Sequence, residues 1–154
     1  MTYQLLKQPN DAAIPQILSV YRHPSVARFI SIDEQHYWDY VTSTECVSFY
    51  KVYKENCLVA AAHLELDGDV LYMDLVVFPA YQKMGIASEI LRDIQRGILV
   101  SDFRNIHVSI DERNIASLKL FENAGFVCVG RDDELLEYEY SLCEKGNLDI
   151  PGGL

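Results

Sequence analysis

The sequence lacks any apolar run long enough to cross a bilayer. Leu75 to Ala80 is among its longest, far short of the roughly 20 residues a membrane helix needs. Its first residues, Met1 to Lys7, show no basic stretch leading into an apolar one, so no secretory leader is expected. Cysteine is scarce: Cys46, Cys57, Cys128 and Cys143 form no C-x-x-C pair, and none stands beside a histidine at metal-ligand spacing. The expectation is reduced, structural thiols, three of them inside apolar strand-like runs, in a cytoplasmic protein without a metal. Positive charge is also short. Lys and Arg number 13 against 23 Asp and Glu, a net charge of −10. A phosphate backbone needs a basic face, so no nucleic-acid partner is expected. The balance suits a cationic substrate such as an amine or a basic peptide, or serves solubility alone. The glycine-rich fingerprint of dinucleotide folds and a Walker lysine-serine pair are both missing.

What remains is one folded domain. The chain has 154 residues, 49% of them hydrophobic, with no repeat, low-complexity tract or internal linker. Residues 1–142 read as that domain. Residues 143–154, with Gly146, Pro151, Gly152 and Gly153, lose periodicity and read as a flexible tail.

Two periods alternate along the body. Tyr3 to Lys7 reads as a strand. Ile14, Ile17, Leu18 and Tyr21 recur at helical spacing, with Pro15 in the first turn. Ser31-Ile32-Asp33-Glu34 has the form of a capping box opening a helix through about Ser43. Strand-like runs follow at Val47–Tyr53, Leu58–Leu66 and Val70–Phe78. Glu55-Asn56 and Asp67-Gly68-Asp69 supply the turns between them. A helical stripe of Ile86, Ile90, Leu91 and Ile94 spans about Met84 to Ile98. Asn105–Ile110 is a strand, Asn114–Asn123 a helix closed by Gly125, and Phe126–Gly130 and Leu135–Leu142 are closing strands. This order predicts an α/β (α+β) fold. Its central sheet of about seven strands is mixed and mostly antiparallel, locally parallel at the fourth and fifth strands, with helices on both faces.

The informative segment runs from Leu75 to Ser88 as strand, short loop and helix. A helix start leaves several N–H groups without partners, and with the helix dipole they make an anion site. Gly85 lets the backbone approach a phosphate, Ala87 stays small, and Lys83 adds local positive charge to an acidic chain. Pro79 cannot donate to a ladder, so the fourth strand must end or bulge there. A strand splaying from its parallel neighbour would expose unpaired amides to a linear, amide-bearing ligand.

Gln82-x-x-Gly85-x-Ala87 resembles the Q/R-x-x-G-x-G/A signature of the GNAT N-acetyltransferase superfamily. Val77-x-Pro79 and Asn114-(x)5-Leu-Phe-Glu-Asn-Ala-Gly-Phe126 resemble two further pieces of that family, in order and spacing. The element order resembles the family over nearly the whole chain, and the residues do so from about Leu71 to Phe126. The resemblance implies the GNAT fold, splayed between strands 4 and 5. It implies acetyl-CoA or a related acyl-CoA as co-substrate, and as partner an amine-bearing small molecule or protein, with a homodimer left open; the short apolar runs lead to the expectation of no membrane partner. Leu75, Val76 and Val77 would face the pantetheine and thioester. Gln82, Lys83, Met84, Gly85, Ile86, Ala87 and Ser88 would cradle the diphosphate. Asn114 would hold the pantetheine arm, or serve as its helix's N-cap, or both.

In this family the amine attacks the thioester directly. A backbone N–H near Val77 is the expected oxyanion donor. Ribosomal-protein acetyltransferases of the family usually carry a tyrosine seven residues after the asparagine, as acid for the leaving thiolate. Here that place holds Phe121. Ser117, Tyr138 or Tyr140 could substitute. Asp74 is the first candidate base and Glu65 the second, each otherwise an exposed strand carboxylate. His23, His36, His63 and His107 show no partner pattern and read as structural or exposed. Asp111 and Glu112 could draw a cationic amine or only solvate a loop. Tyr21, Phe29, Ile30, Tyr37, Trp38 and Tyr40 could wall the acceptor cleft or fill the core. Two other readings stay open: a non-catalytic acyl-CoA-binding sensor of the same fold, and a plain nucleotide-binding domain.

Overall fold

The computed structural model describes residues 1–142, so the expected tail lies outside the described residues. The elements are β1 (Thr2–Leu5), α1 (Ile14–Tyr21), α2 (Pro24–Ala27), α3 (Tyr37–Ser43), β2 (Val47–Lys54), β3 (Cys57–Asp67), β4 (Val70–Val77), α4 (Ile86–Gln95), β5 (Asn105–Asp111), α5 (Ile115–Asn123), β6 (Val127–Asp132) and β7 (Leu135–Ser141). One 3-10 turn, Pro79–Tyr81, follows β4.

All seven strands form one sheet in the order β1-β2-β3-β4-β5-β7-β6. Its neighbours run antiparallel except β4 and β5, which are parallel. The hairpins follow from the turn residues. Glu55 and Asn56 both take positive φ, 52° and 67°, in the tight turn between β2 and β3. Gly68, at φ 63°, closes β3 onto β4 and fixes their register from the pair Asp67–Val70 outward.

Helices cover both faces. On one, Ile86, Ile90, Leu91 and Ile94 of α4 pack with Leu64, Leu71 and Ile106 of the sheet. Each of those α4 residues is almost fully buried, worth about 1.5–3 kcal/mol apiece. On the other, Ile14, Ile17 and Tyr21 of α1 join Trp38 and Val41 of α3 against Phe49, Ala61 and Val76. Alternation along β4 explains the split. Leu71 and Met73 face α4, while Tyr72, Asp74 and Val76 face the side of α1 to α3.

Three expectations need correction. The capping box does not form: α3 begins at Tyr37, and the Asp33 carbonyl accepts from the His36 and Tyr37 amides. Glu34 pairs with Arg22 instead, because the cation arriving from the end of α1 binds the carboxylate more strongly than a backbone amide does. A short extra helix, α2, starts at Pro24, capped by His23 accepting from the Ser25 amide. Cys46, Cys57 and Cys128 are free thiols as expected, but exposed: they sit in a turn, at a strand end and on the edge strand β6. Cys143 lies outside the described residues.

Candidate active site

The sheet opens between β4 and β5. The two pair only from Val70–Asn105 to Tyr72–His107, and then part. The Phe78 amide donates to the Val59 carbonyl at 2.8 Å. By alternation, the main-chain groups of Asp74, Val76 and Phe78 serve β3, while those of Leu75 and Val77 point to the opened edge. Gln82 Nε2 donates to the Val77 carbonyl at 3.2 Å, tying the following loop back to the strand end.

That loop delivers the chain to α4 through two left-handed residues, Lys83 at φ 64° and Gly85 at φ 77°. Among the described residues, no carbonyl or side chain accepts from the amides of Gly85, Ile86, Ala87 or Ser88. A Cβ built on Gly85 would meet nothing within 4 Å, so glycine is needed there for its backbone angle and for what approaches it, not to spare a neighbour. These free amides at a helix start fit a diphosphate, and the opened edge beside them fits an amide-bearing arm.

A cleft of about 580 Å³ runs from this loop through the opening to α5. It is lined by Leu75, Val76 and Val77 of β4, by Gln82, Lys83, Gly85, Ile86, Ala87 and Ser88, and by Asn114, Ser117 and Phe121 across it. Met84 gives it no side-chain surface and is 62% exposed. Asn114 caps α5, its Oδ1 accepting from the Ser117 amide at 3.2 Å, which leaves its NH2 group as a donor. Phe121 is buried edge-to-face on Phe126 at 5.0 Å. Of the proposed stand-ins for a tyrosine, only Ser117 lines the cleft. The Tyr138 hydroxyl donates to Glu122 at 2.9 Å, and Tyr140 packs on Phe126 at 5.4 Å, because β7 presents both to the core face.

On the opposite side the cleft continues into a recess of about 380 Å³ lined by His63, Glu65, Tyr72, Met73, Asp74, His107 and Ser109. Sheet register builds it. His63 pairs with Asp74 and Glu65 with Tyr72, then Tyr72 with His107 and Ser109 with Glu137. Asp74 lines both cavities. Asp74 is exposed along the strand, yet the protein packed around it strips water from its carboxyl. The loss of hydration raises its pKa, opposed by His63 and reinforced by Glu65. Burial works on Glu65 in the same direction, but hydrogen bonds from Tyr40 and His63 outweigh it, and its pKa is lowered. The two carboxyls are thus driven apart, the pattern that separates a proton acceptor from a fixed charge.

His63 and His107, read as structural or exposed, belong to this recess instead. His63 Nδ1 meets the Tyr37 hydroxyl at 2.5 Å and its Nε2 meets Glu65 Oε1 at 2.8 Å. His107 Nε2 meets Glu137 Oε1 at 2.8 Å. The missed signal was alternation and turn register: His63 and Glu65 share a strand face, and counting four rungs from Asp67–Val70 sets His63 against Asp74. His23 and His36 are exposed, as expected.

The aromatic wall divides. Phe29 and Ile30 line the cleft, Tyr21 and Trp38 are core, and Tyr37 and Tyr40 hydrogen-bond to His63 and Glu65. Asp111 reaches the cleft, but the Arg113 guanidinium at 2.8 Å holds its pKa down to about 2, so its charge is already matched. Glu112 pairs with Arg131 at 2.7 Å. Among the described residues no group of three or more His, Cys, Asp or Glu side chains is placed to hold a metal ion, and no helix is long and apolar enough to cross a membrane.

The acetyltransferase (GNAT) family profile matches residues 14–126. No curated protein matches the sequence. Among solved structures, the fold is similar to a domain from Methanocaldococcus jannaschii at TM-score 0.76 and 19% identity, covering 92% of this chain and 97% of that one. It is similar to the Campylobacter jejuni N-acetyltransferase PseH in complex with acetyl coenzyme A at TM-score 0.72 and 10% identity, covering 91% and 99%. A spermidine N-acetyltransferase chimera from Vibrio cholerae and hSSAT gives TM-score 0.74 and 15% identity, covering 96% and 99%.

Proposed function

Because the chain belongs to the acetyltransferase (GNAT) family, we propose that it transfers the acetyl group of acetyl-CoA to a primary amine of a small molecule or protein by direct attack. The observation that carries this reading is the parting of β4 from β5 beside unused amides at the start of α4.

In this reading the amides of Gly85 to Ser88 hold the diphosphate, with Lys83 adding charge. Leu75, Val76 and Val77 align the arm along the open edge, and the Asn114 NH2 group steadies it. The Leu75 and Val77 amides donate to the thioester oxygen as it gains charge, a contribution of about 10²–10³ in rate per donor. An alkylamine with a pKa near about 10.4 arrives protonated at pH 7. Asp74, with its raised pKa, is the carboxylate suited to seat that ammonium and take its proton, while Glu65 stays ionised. Ser117 donates a hydrogen bond toward the departing sulfur, and Phe121 occupies the tyrosine's usual place without its hydroxyl. A thiol pKa near about 8.5 makes that departure feasible without a strong acid.

The acceptor side carries Glu65, Asp74 and Glu137 around two histidines and a tyrosine, which favours a cationic acceptor. Free, exposed thiols favour the reducing cytoplasm. Phe121 supports one alternative, an acyl-CoA-binding sensor without turnover. A thiol-release assay with acetyl-CoA over spermidine, kanamycin and lysine-bearing or free-N-terminal peptides separates the two. Release with one amine class supports transfer. Thermal stabilisation by acetyl-CoA without release supports the sensor. No stabilisation by acetyl-CoA overturns both.

A further inference from the structure

The amine's proton needs a destination, and an inference that rests on the amine-acetylation reading supplies one. Beside Asp74 runs an unbroken chain of hydrogen bonds. The Tyr37 hydroxyl reaches His63 Nδ1 at 2.5 Å, and His63 Nε2 reaches Glu65 Oε1 at 2.8 Å. The Tyr40 hydroxyl donates to the same oxygen at 2.7 Å. Chemistry fixes the direction of each bond. An ionised Glu65 only accepts, so Nε2 carries the hydrogen. In the neutral ring Nδ1 is then bare, and the Tyr37 hydroxyl donates to it.

Hydroxyl, imidazole and carboxylate in this order have the logic of a catalytic triad, which is recognised by roles and geometry rather than sequence position. The surroundings suit a proton store. His63 is faced by Glu65 on its own strand, by Asp74 directly opposite on β4, and by Tyr37 and Tyr40 from α3. Tyr21 of α1 stands near Tyr37 and Asp74, His107 lies across the recess, and Phe49 is the β2 neighbour. The charged neighbours nearest the ring are carboxylates, Glu65 by hydrogen bond and Asp74 across the ladder.

We propose that Tyr37, His63 and Glu65 form a proton-accepting triad for the acetyl transfer, with His63 as the store, Tyr37 as the relay from Asp74 and Glu65 as the anion that holds the imidazolium. The ammonium N–H breaks and its proton bonds to Asp74. The Asp74 proton then passes through a bridging water to the Tyr37 oxygen as the hydroxyl's own proton bonds to Nδ1. The freed nitrogen lone pair attacks the thioester carbon, the C–S bonding pair leaves on sulfur, and the second N–H proton passes to that sulfur as the amide forms, giving the free thiol. When products depart, the imidazolium returns its proton through Tyr37 to water, so the ring regains its starting tautomer. Asp74 touches the acceptor and is catalytic. Tyr37, His63 and Glu65 act through it and are positioning residues.

The test has two arms. In histidine-¹⁵N-labelled protein, NMR is expected to find His63 protonated at Nε2 and bare at Nδ1, with the Nδ1 resonance moving in Tyr37→Phe. A ring protonated only at Nδ1 overturns the triad whether or not an acceptor is known. In kinetics with the best amine of the panel, His63→Gln and His63→Ala are expected to lower kcat about 10²-fold near neutral pH, within the usual range for acid–base groups. The KM for acetyl-CoA should hold. The deficit should shrink at alkaline pH, where the amine arrives neutral, and added imidazole should restore part of the rate in His63→Ala. Unchanged kcat in both variants, or a loss equal at every pH and deaf to imidazole, overturns the proposal. Failure of the family reading looks different: wild-type protein would then show no stabilisation by acetyl-CoA.

Discussion

His63 and Asp74 stand directly opposite each other on the β3–β4 ladder, with Glu65 on the same face two residues along. The three groups share a recess that opens into the cleft, yet only Asp74 lies on the boundary between the two. Their acidities follow from partners. Glu65 receives two hydrogen bonds and stays charged, whereas Asp74 receives none among the described residues and resists ionisation.

That contrast predicts opposite effects on activity and stability at Asp74. Its pKa is raised on folding, so the folded state binds more protons than the unfolded state across the titration, and stability falls as pH rises through that window. Asp74→Asn removes the cost. Its melting temperature should exceed wild type at pH 7, and the difference should vanish below the unfolded carboxyl's titration, near about pH 3.9. Thiol release should drop about 10²–10⁴-fold. A variant that is both active and no more stable would remove Asp74 from the site.

Gly85 tests the cradle. An L-residue at its φ of 77° costs about 1–2 kcal/mol, and no neighbour would clash with the added methyl. Gly85→Ala should therefore lose only that much stability without ligand. Calorimetry should find acetyl-CoA bound at least about tenfold more weakly, because the methyl enters the space the diphosphate needs. Equal affinity would move the diphosphate elsewhere.

Asn114 carries two roles that a pair of variants separates. Its Oδ1 caps α5, so Asn114→Ala should cost about 0.5–2 kcal/mol of stability. Asn114→Asp keeps the capping oxygen and removes the NH2 donor. It should melt near wild type yet bind acetyl-CoA several-fold more weakly. If its affinity matches wild type, the cap is the side chain's whole contribution.

Much of this was legible in the sequence because the signals were local. The left-handed glycines, the Asp67-Gly68-Asp69 turn and the α4 stripe act within a few residues, and the structure places them as read. The end of β4 was legible too, since Pro79 has no amide to continue the ladder, whereas the parting from β5 begins already after Tyr72 and was implied only by the family resemblance. What escaped depends on distant approach. Glu34 meets Arg22 only after α1 and the following loop pack together, and that contact replaces the capping box. The tyrosines of α3 reach His63 and Glu65 across the chain, so a histidine without a sequence-local partner acquires two. The cysteines were misread because position overrode local apolarity: Cys46 falls in a turn, Cys57 at a strand end, and Cys128 on β6, an edge strand exposed on both faces.

Phe121 offers the sharpest test of how the thiolate leaves. Its ring lines the cleft on one side and packs on Phe126 on the other. Phe121→Tyr adds one hydroxyl whose surroundings decide the outcome. If the para position faces the cleft, the new group meets solvent or the sulfur. Stability should then hold within about 0.5 kcal/mol, as for changes away from special features. The rate should rise toward the roughly 10²-fold or more that a general acid supplies, with a new alkaline limb as the phenol ionises. If the para position faces the core, the hydroxyl is buried without a partner. Stability should fall by about 1–3 kcal/mol, with the rate and its pH profile untouched. Melting and pH–rate curves on one variant therefore tell whether Phe121 stands where the leaving sulfur passes, and an unaltered profile in a stable variant removes it from the reaction.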